Sequence, residues 1–183
     1  MLTGVERFVD LVGARANGLS GVSLATIESA AERGDPAALG RGDGHFAVCA
    51  REGHVVRLAR TIGLPLRYFV AKMYHGPFLV ASDRMDTIFR WCCDERIGWQ
   101  FDPSYTRMVP AHYLVEVEQV GCPDPSPRLE RFFEPEIATG PDDLDELGAR
   151  YAGAALGALE AWIATVPDGE SIAVAYSGGL DSG

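Results

Sequence analysis

Near its C-terminal end the sequence reads Ser171-Ile172-Ala173-Val174-Ala175-Tyr176, followed at once by Ser177-Gly178-Gly179-Leu180-Asp181-Ser182. The first run predicts a buried strand of a parallel sheet, because such strands are continuous apolar segments. The two glycines after it allow the backbone to approach an anion closely, and successive N–H groups give that site a positive potential. Together the two runs predict a strand that ends in a phosphate-binding loop.

Each part of this loop has a predicted role in nucleotide binding. The hydroxyl groups of Ser177 and Ser182 can donate hydrogen bonds to phosphate oxygens, while Gly178-Gly179-Leu180 presents the backbone. Asp181 orients the loop or organises a magnesium ion that bridges the phosphates. The spacing differs from the Walker loop G-x-x-x-x-G-K-[ST], whose lysine is also absent. The alternative is a tight turn that needs two glycines for its geometry alone.

The longest helical pattern precedes the predicted strand. Apolar residues at helical spacing form one stripe, made of Leu144, Leu147, Tyr151, Ala155, Leu159 and Trp162. Acidic residues complement the helix dipole at its start, at Asp142, Asp143 and Asp145. Pro167-Asp168-Gly169 ends the pattern. We place a domain boundary in the range 135–141 and divide the chain into domains 1–138 and 139–183.

The first domain begins with two predicted helices. One carries the stripe Val5, Phe8, Val9 and Val12, and the other carries Leu24, Ile27 and Ala31. Gly18-Leu19-Ser20-Gly21 is the predicted turn between them, and Gly34-Asp35-Pro36 ends the second helix.

From Gly42 onwards short apolar runs alternate with turn residues. The predicted strands lie at 45–50, 54–60, 66–71, 77–81 and 112–119, with a helix over 83–91. The first two strands should form a hairpin around Arg51-Glu52-Gly53. Alternate prolines in Cys122-Pro123-Asp124-Pro125-Ser126-Pro127 predict a surface loop. We therefore expect a mixed fold, with an α+β domain in front of an α/β domain.

The composition argues against several functions. The chain has 183 residues and a formal net charge of −10, whereas nucleic acids and acidic membrane surfaces are bound through clustered Lys and Arg. No apolar run reaches the roughly 18 residues that span a bilayer, and no leader opens the chain. Neither the cysteines nor the histidines have zinc-site spacing. We expect a cytoplasmic protein with reduced thiols and no nucleic-acid or membrane partner.

The loop Ser177–Ser182 resembles the PP-loop of the ATP pyrophosphatase superfamily, and upstream segments narrow the resemblance to asparagine synthase-like proteins. Asp43-Gly44-His45-Phe46-Ala47-Val48 is similar to the family's D-G-x-F-A signature, and Leu58–Tyr68 is similar to A-R-D-x-x-G-x-x-P-L-Y-Y. Three further segments match F-A-S-E, P-P-G-H and Y-W in that order: Phe78–Asp83, Val109–Tyr113 and Arg131-Phe132-Phe133. The resemblance covers residues 40–183.

This resemblance implies a fold and a chemistry. The first domain would be a glutamine amidotransferase type 2-like αββα sandwich of the Ntn type, and the second would be the truncated start of an adenine nucleotide alpha hydrolase-like α/β domain. In the family the first domain releases ammonia from glutamine, and the second adenylates a carboxylate with MgATP before an amine attacks. The implied cofactors are ATP and Mg²⁺, with Asp181 near the metal, and the implied substrate is a small-molecule or peptide carboxylate.

The chain departs from the family pattern in three places. Residue 2 is Leu2 and no cysteine precedes Cys49, so the N-terminal cysteine nucleophile is missing and we predict no glutaminase activity. The family's R-L-S-I and N-G-E-I-Y-N segments are also missing, and Thr61 and Arg67 replace the aspartate and first tyrosine of its signature. Gly183 follows the loop at once, so we expect the piece alone to be inactive.

Several interpretations remain open. The leading one is the N-terminal portion of an ATP-dependent amide ligase, and a β-lactam-forming or peptide-cyclising relative is a close variant. The other class is a non-catalytic scaffold that pairs with a separate synthetase half or forms a homo-oligomer. By family position Arg60 could contact a substrate carboxylate, although a structural ion pair is the expectation. We expect structural roles for His45 and His112, and helix capping or dipole compensation for Asp83 and Asp86.

Overall fold

The computed structural model describes residues 7–13, 17–71, 78–118, 126–135, 140 and 143–174. The chain forms two compact units, Met1–Pro135 and Glu136–Gly183. In chain order the elements are β1 (Arg7–Asp10), β2 (Gly18–Ser20), α1 (Leu24–Arg33), α2 (Pro36–Leu39), β3 (Asp43–His45), β4 (Ala47–Glu52), β5 (Val55–Arg60), β6 (Arg67–Ala71), β7 (Phe78–Ser82), α3 (Met85–Asp94), β8 (Arg107–Met108), β9 (Tyr113–Glu118), β10 (Arg128–Arg131) and α4 (Leu144–Ile163). The mixed α and β class expected from the sequence is confirmed.

Two four-stranded sheets form the centre of the first unit. One has the strand order β1-β7-β6-β8 and the other has the order β10-β9-β5-β4. The strand β1 runs parallel to β7, whereas the other described pairings in both sheets are antiparallel. The predicted hairpin is confirmed as β4 and β5, in which Glu52 pairs with Val55 across the turn.

Buried side chains show how the layers of this unit are stacked. Leu58 and Leu79, one from each four-stranded sheet, belong to a single apolar cluster between the sheets. On the far side of the β7 sheet, Ile88 of α3 joins a second cluster. On the far side of the β5 sheet, Ile27 of α1 packs in a third cluster with Leu114. Because successive strand residues face opposite sides of a sheet, the layers follow the order helix, sheet, sheet, helix.

The second predicted helix is confirmed as α1, and its end at Gly34 is as predicted. The Ser23 side chain accepts a hydrogen bond from the Thr26 N–H at 3.2 Å, which satisfies one of the free donors of the first turn. Gly34 ends the helix with φ 65, a left-handed conformation that glycine adopts without steric cost. Ile27, Ala30 and Ala31 form its buried face.

Two predictions for the first 21 residues are wrong. Residues 7–10 form the strand β1 rather than a helix, and its Phe8 and Val9 pair with Leu79 and Val80. In this four-residue segment Phe8 and Val9 are apolar and Arg7 and Asp10 are charged. The segment is too short to separate the two periodicities, so the distant partner strand decides. Residues 18–20 form the strand β2, which pairs with β3. The residues predicted to form a turn are therefore one strand of a two-stranded sheet.

In the second unit α4 is confirmed, with Asp143 as its N-cap and Asp145 and Glu146 in its first turn. No residue of α4 is buried, and the predicted apolar stripe is exposed, including Leu144 at 81% and Tyr151 at 78%. The predicted strand 171–176 is wrong for the part that the structure describes. Residues 171–174 have no strand partner there, and Val174 is 84% exposed. An extended segment needs a neighbouring strand to satisfy its backbone.

Candidate functional site

The predicted phosphate loop lies outside the described residues, which end at Val174. Ser177, Gly178, Gly179, Leu180, Asp181 and Ser182 therefore keep their sequence-based assignments as predictions, as does the magnesium role of Asp181. The described chain leads towards the loop through α4 and a turn in which Gly169 has φ 91. That turn agrees with the helix end predicted from Pro167-Asp168-Gly169.

The described cysteines differ from an activated nucleophile. Burial raises the pKa of the Cys49 thiol well above its ordinary value, with a further contribution from the Asp10 carboxylate. Burial likewise raises the pKa of Cys92 to about 11, whereas catalytic thiols have depressed pKa values. Cys93 is exposed, but it is a residue of α3 and has no free α-amine. These three thiols have the properties of structural side chains.

Three family-like segments meet at one end of the β10-β9-β5-β4 sheet. Arg60 at the end of β5 pairs with Tyr113 of β9, and Tyr113 pairs in turn with Arg131 of β10. His112 precedes Tyr113, and its N–H donates to the Arg60 carbonyl at 2.8 Å. We call the set Arg60, His112 and Arg131 the arginine–histidine corner. The sequence segments that resemble A-R-D, P-P-G-H and Y-W are therefore neighbours in the fold.

Arg60 is 9% exposed and bonds only to main-chain carbonyls within the described part of the chain. Its Nε donates to the Val109 carbonyl at 2.5 Å. One Nη donates to the carbonyls of Thr61 at 3.1 Å and Leu64 at 3.0 Å. Burial lowers the pKa of Arg60, with a smaller effect from Arg67. The expected ion pair is wrong, because carbonyl groups supply the acceptors and fix the chain on both sides of β5.

His112 combines an unusual backbone with an unpaired ring nitrogen. Its φ is 64, which is uncommon for a residue with a Cβ. Its ring contacts Phe132 and Phe133, with centroid distances of 5.9 Å and 4.9 Å. The Nδ1 atom is buried and has no hydrogen-bond partner among the described residues. Burial lowers the pKa of His112, and the charges of Arg131 and Arg60 lower it further.

Thr61 is a connecting residue whose role the sequence did not reveal. Its Oγ1 accepts a hydrogen bond from the Phe46 N–H at 2.9 Å, and the Thr61 N–H donates to the Phe46 carbonyl at 2.9 Å. Thr61 is buried at 6% exposure. The residue that replaces the family aspartate thus joins the segment resembling D-G-x-F-A to the end of β5.

The acidic residues at the start of α3 are only partly as predicted. The N-cap is Arg84, which makes no side-chain capping bond, so capping by Asp83 is wrong. Asp83 instead accepts a hydrogen bond from the Ser82 hydroxyl at 3.1 Å. Asp86 lies in the first turn, where it complements the helix dipole, and it pairs with Arg84 and Arg90 at 3.0 Å and 2.6 Å.

Within the described ranges, no group of three or more His, Cys, Asp or Glu side chains is arranged to hold a metal ion. None of the helices described has the length and hydropathy needed to cross a bilayer. No protein-family model, curated protein or solved structure matches the chain. The functional assignment therefore depends on the residues themselves.

Proposed function

We propose that this chain is the N-terminal portion of an ATP-dependent amide ligase of the asparagine synthase-like kind. The observation that carries the proposal is the run Ser177-Gly178-Gly179-Leu180-Asp181-Ser182 after a helix and an apolar segment. In this reaction a substrate carboxylate attacks the α-phosphate of ATP, pyrophosphate leaves, and an amine displaces AMP to give an amide. The loop would hold the phosphates, with Mg²⁺ near Asp181.

The first unit supports the proposal through its layers. A helix, sheet, sheet, helix order agrees with the αββα sandwich of the Ntn type that the resemblance implies. The three family-like segments are separated in sequence but adjacent at the arginine–histidine corner. A shared fold does not establish a shared reaction, so this agreement supports the family and leaves the chemistry to the phosphate loop.

We further propose that the first unit lacks glutaminase activity. In the family mechanism the α-amine of an N-terminal cysteine serves as the base for its own thiol. Cys49, Cys92 and Cys93 lie within β4 and α3, where their amines are part of peptide bonds. The raised pKa values of Cys49 and Cys92 also oppose thiolate formation. The amine for ligation would then come from solution or from the substrate, as in a peptide-cyclising reaction.

The exposed stripe of α4 is consistent with a layer of an α/β domain. A surface helix normally buries its apolar stripe, yet the exposed fraction is 81% at Leu144 and 48% at Trp162. Large exposed apolar areas mark surfaces that contact other protein. The sheet of a synthetase domain would cover such a stripe, either within one polypeptide or in the scaffold alternative with a separate synthetase half.

Calorimetric titration of MgATP tests the proposal. The 183-residue chain would be compared with a polypeptide in which the reading frame continues past Gly183. We expect saturable binding by the longer polypeptide, because the helix after the loop contributes its N-terminus to the anion site. Asp181→Ala should abolish this binding. Asp168→Ala removes an exposed carboxylate of the same unit and should leave it unchanged.

Two outcomes would contradict the proposal. Absence of MgATP binding by the longer polypeptide would leave the scaffold interpretation. Binding that survives Asp181→Ala would place the nucleotide elsewhere on the molecule.

A further inference from the structure

The last segment of the first unit lies at the edge of its sheet. We call residues 128–135, which comprise β10 and the four residues after it, the strap. β10 is an edge strand that pairs with β9, and all four of its residues are exposed. Phe132 anchors the strap: its N–H donates to the His112 carbonyl at 2.9 Å, and its ring stacks on Phe46 at a centroid distance of 5.7 Å. Segments with few buried contacts open most readily.

The orphan nitrogen of His112 determines how the strap responds to protons. A neutral imidazole carries one hydrogen, which leaves its other nitrogen as an acceptor. In His112 the buried nitrogen without a partner is Nδ1. Protonation of the ring makes both nitrogens donors, so an N–H would be buried at Nδ1 without an acceptor. A buried unsatisfied donor is costly, and more so when it is charged.

The charges around His112 make its protonation harder. Arg60 from β5 and Arg131 from the strap both lower the pKa of His112. Glu134 of the strap pairs with Arg131 at 3.1 Å. Arg131 also lies over the Tyr113 ring at 5.7 Å. A proton on His112 therefore meets two cations, of which Arg131 is paired with a carboxylate.

We propose that the strap is an acid-releasable clamp: when His112 becomes protonated, its ring turns out to water and the segment 128–135 detaches from β9. The closed strap favours neutral His112, since the buried Nδ1 has no acceptor among the described residues for a second ring proton. Detachment breaks the hydrogen bond from the Phe132 N–H to the His112 carbonyl and exposes the Phe132 ring. The first unit ends at Pro135, so the strap is its last segment. This device is independent of ATP chemistry.

The sign of the pH dependence follows from the direction of the pKa shift. The pKa of His112 is lowered in the closed state, whereas in the open state it should be near its ordinary value of about 6.5. The closed state is therefore fully favoured above that pH and loses stability as the pH falls below it. With an open-state pKa of about 6.5, the ratio of closed to open strap should fall between roughly pH 7.5 and 5.5, by at most about tenfold.

Amide hydrogen exchange on the unaltered full chain tests the clamp. The protection factor of the Phe132 amide, corrected for the intrinsic exchange rate, should fall over that pH range, by at most about tenfold. The Leu11 amide, which donates to Ala81 at 2.9 Å in the other sheet, should keep its protection. NMR titration of the His112 ring in the same samples should show an apparent pKa below the ordinary value.

Three variants separate the clamp from general acid destabilisation. His112→Asn cannot titrate and tolerates positive φ, so the pH response of Phe132 should disappear. His54→Asn removes an exposed histidine of the β4–β5 turn and should leave the response intact. Gly40→Ala introduces a Cβ that meets the Phe132 carbonyl oxygen, so Phe132 should exchange rapidly at both pH values.

The proposal is overturned if Phe132 protection is equal at both pH values, or if the response persists in His112→Asn. It is also overturned if the His112 ring titrates while Phe132 keeps its protection. Hydrogen exchange and the ring titration both use the unaltered chain, so the proposal can be overturned even when no variant folds.

Discussion

Arg96 shows how one residue can hold a strained conformation at the end of a helix. Its φ is 62. Two backbone hydrogen bonds hold the turn: the Arg96 N–H donates to the Cys93 carbonyl at 2.9 Å, and the Ile97 N–H donates to the Cys92 carbonyl at 2.8 Å. This is the left-handed helix end that glycine usually occupies.

We predict that Arg96→Gly raises the free energy of unfolding by up to about 1 kcal/mol. Chemical denaturation checks the change, with Arg96→Ala as the control that removes the side chain and keeps the strain. A lower midpoint for Arg96→Gly than for Arg96→Ala would contradict this explanation.

Gly44 is required by close contact between two backbones. It lies on β3 opposite Leu19 of β2, with φ 109, and an added Cβ would meet the Gly18 carbonyl oxygen. We predict that Gly44→Ala lowers the free energy of unfolding by about 1–3 kcal/mol. Gly53→Ala is the matched control, because Gly53 also has positive φ but has open space around its Cβ position. Thermal melts of both variants give the comparison. Equal losses would mean that backbone strain alone, without the contact, accounts for the effect.

At the scale of elements, α4 is a helix whose glycines are placed in open space. No atom lies within 4 Å of the position that an alanine Cβ would take at Gly148, Gly153 or Gly157. Glycine inside a helix lowers stability by roughly 0.5–1 kcal/mol relative to alanine. We predict that Gly148→Ala stabilises α4 by about that amount. Circular dichroism during thermal unfolding measures it. Gly169→Ala, at φ 91, should have the opposite effect, and a stabilising result there would contradict the turn geometry.

The elements also show which parts of the fold the sequence could predict. The helix α1 has a local signal at each end, Ser23 and Gly34, and the hairpin of β4 and β5 has a local turn, so both were predictable. The strand β1 was not, since its partner β7 lies about seventy residues away in the sequence and a four-residue segment is too short to separate the two periodicities. Likewise, the adjacency of Arg60, His112 and Arg131 depends on strand register, which no short motif reveals. The phosphate loop remains a prediction from sequence alone.

At the scale of the whole molecule, the two units have different kinds of surface. The first unit buries three apolar clusters between and outside its sheets. The second unit consists, in its described residues, of an exposed helix with an apolar stripe and an exposed segment that leads towards the phosphate loop. The proposed ligase chemistry belongs to the second unit, whereas the pH-sensitive strap belongs to the first. Nucleotide binding should therefore occur far along the chain from the arginine–histidine corner.

Amide NMR mapping would show whether ATP binds through the loop at residues 177–182. MgATP would be added to an isotope-labelled polypeptide in which the reading frame continues past Gly183. We expect saturable shifts at the amides of Ser177–Ser182, which disappear in Asp181→Ala, with no comparable shifts at Arg60 or His112. Shifts centred on the arginine–histidine corner, or no saturable shift at all, would contradict it.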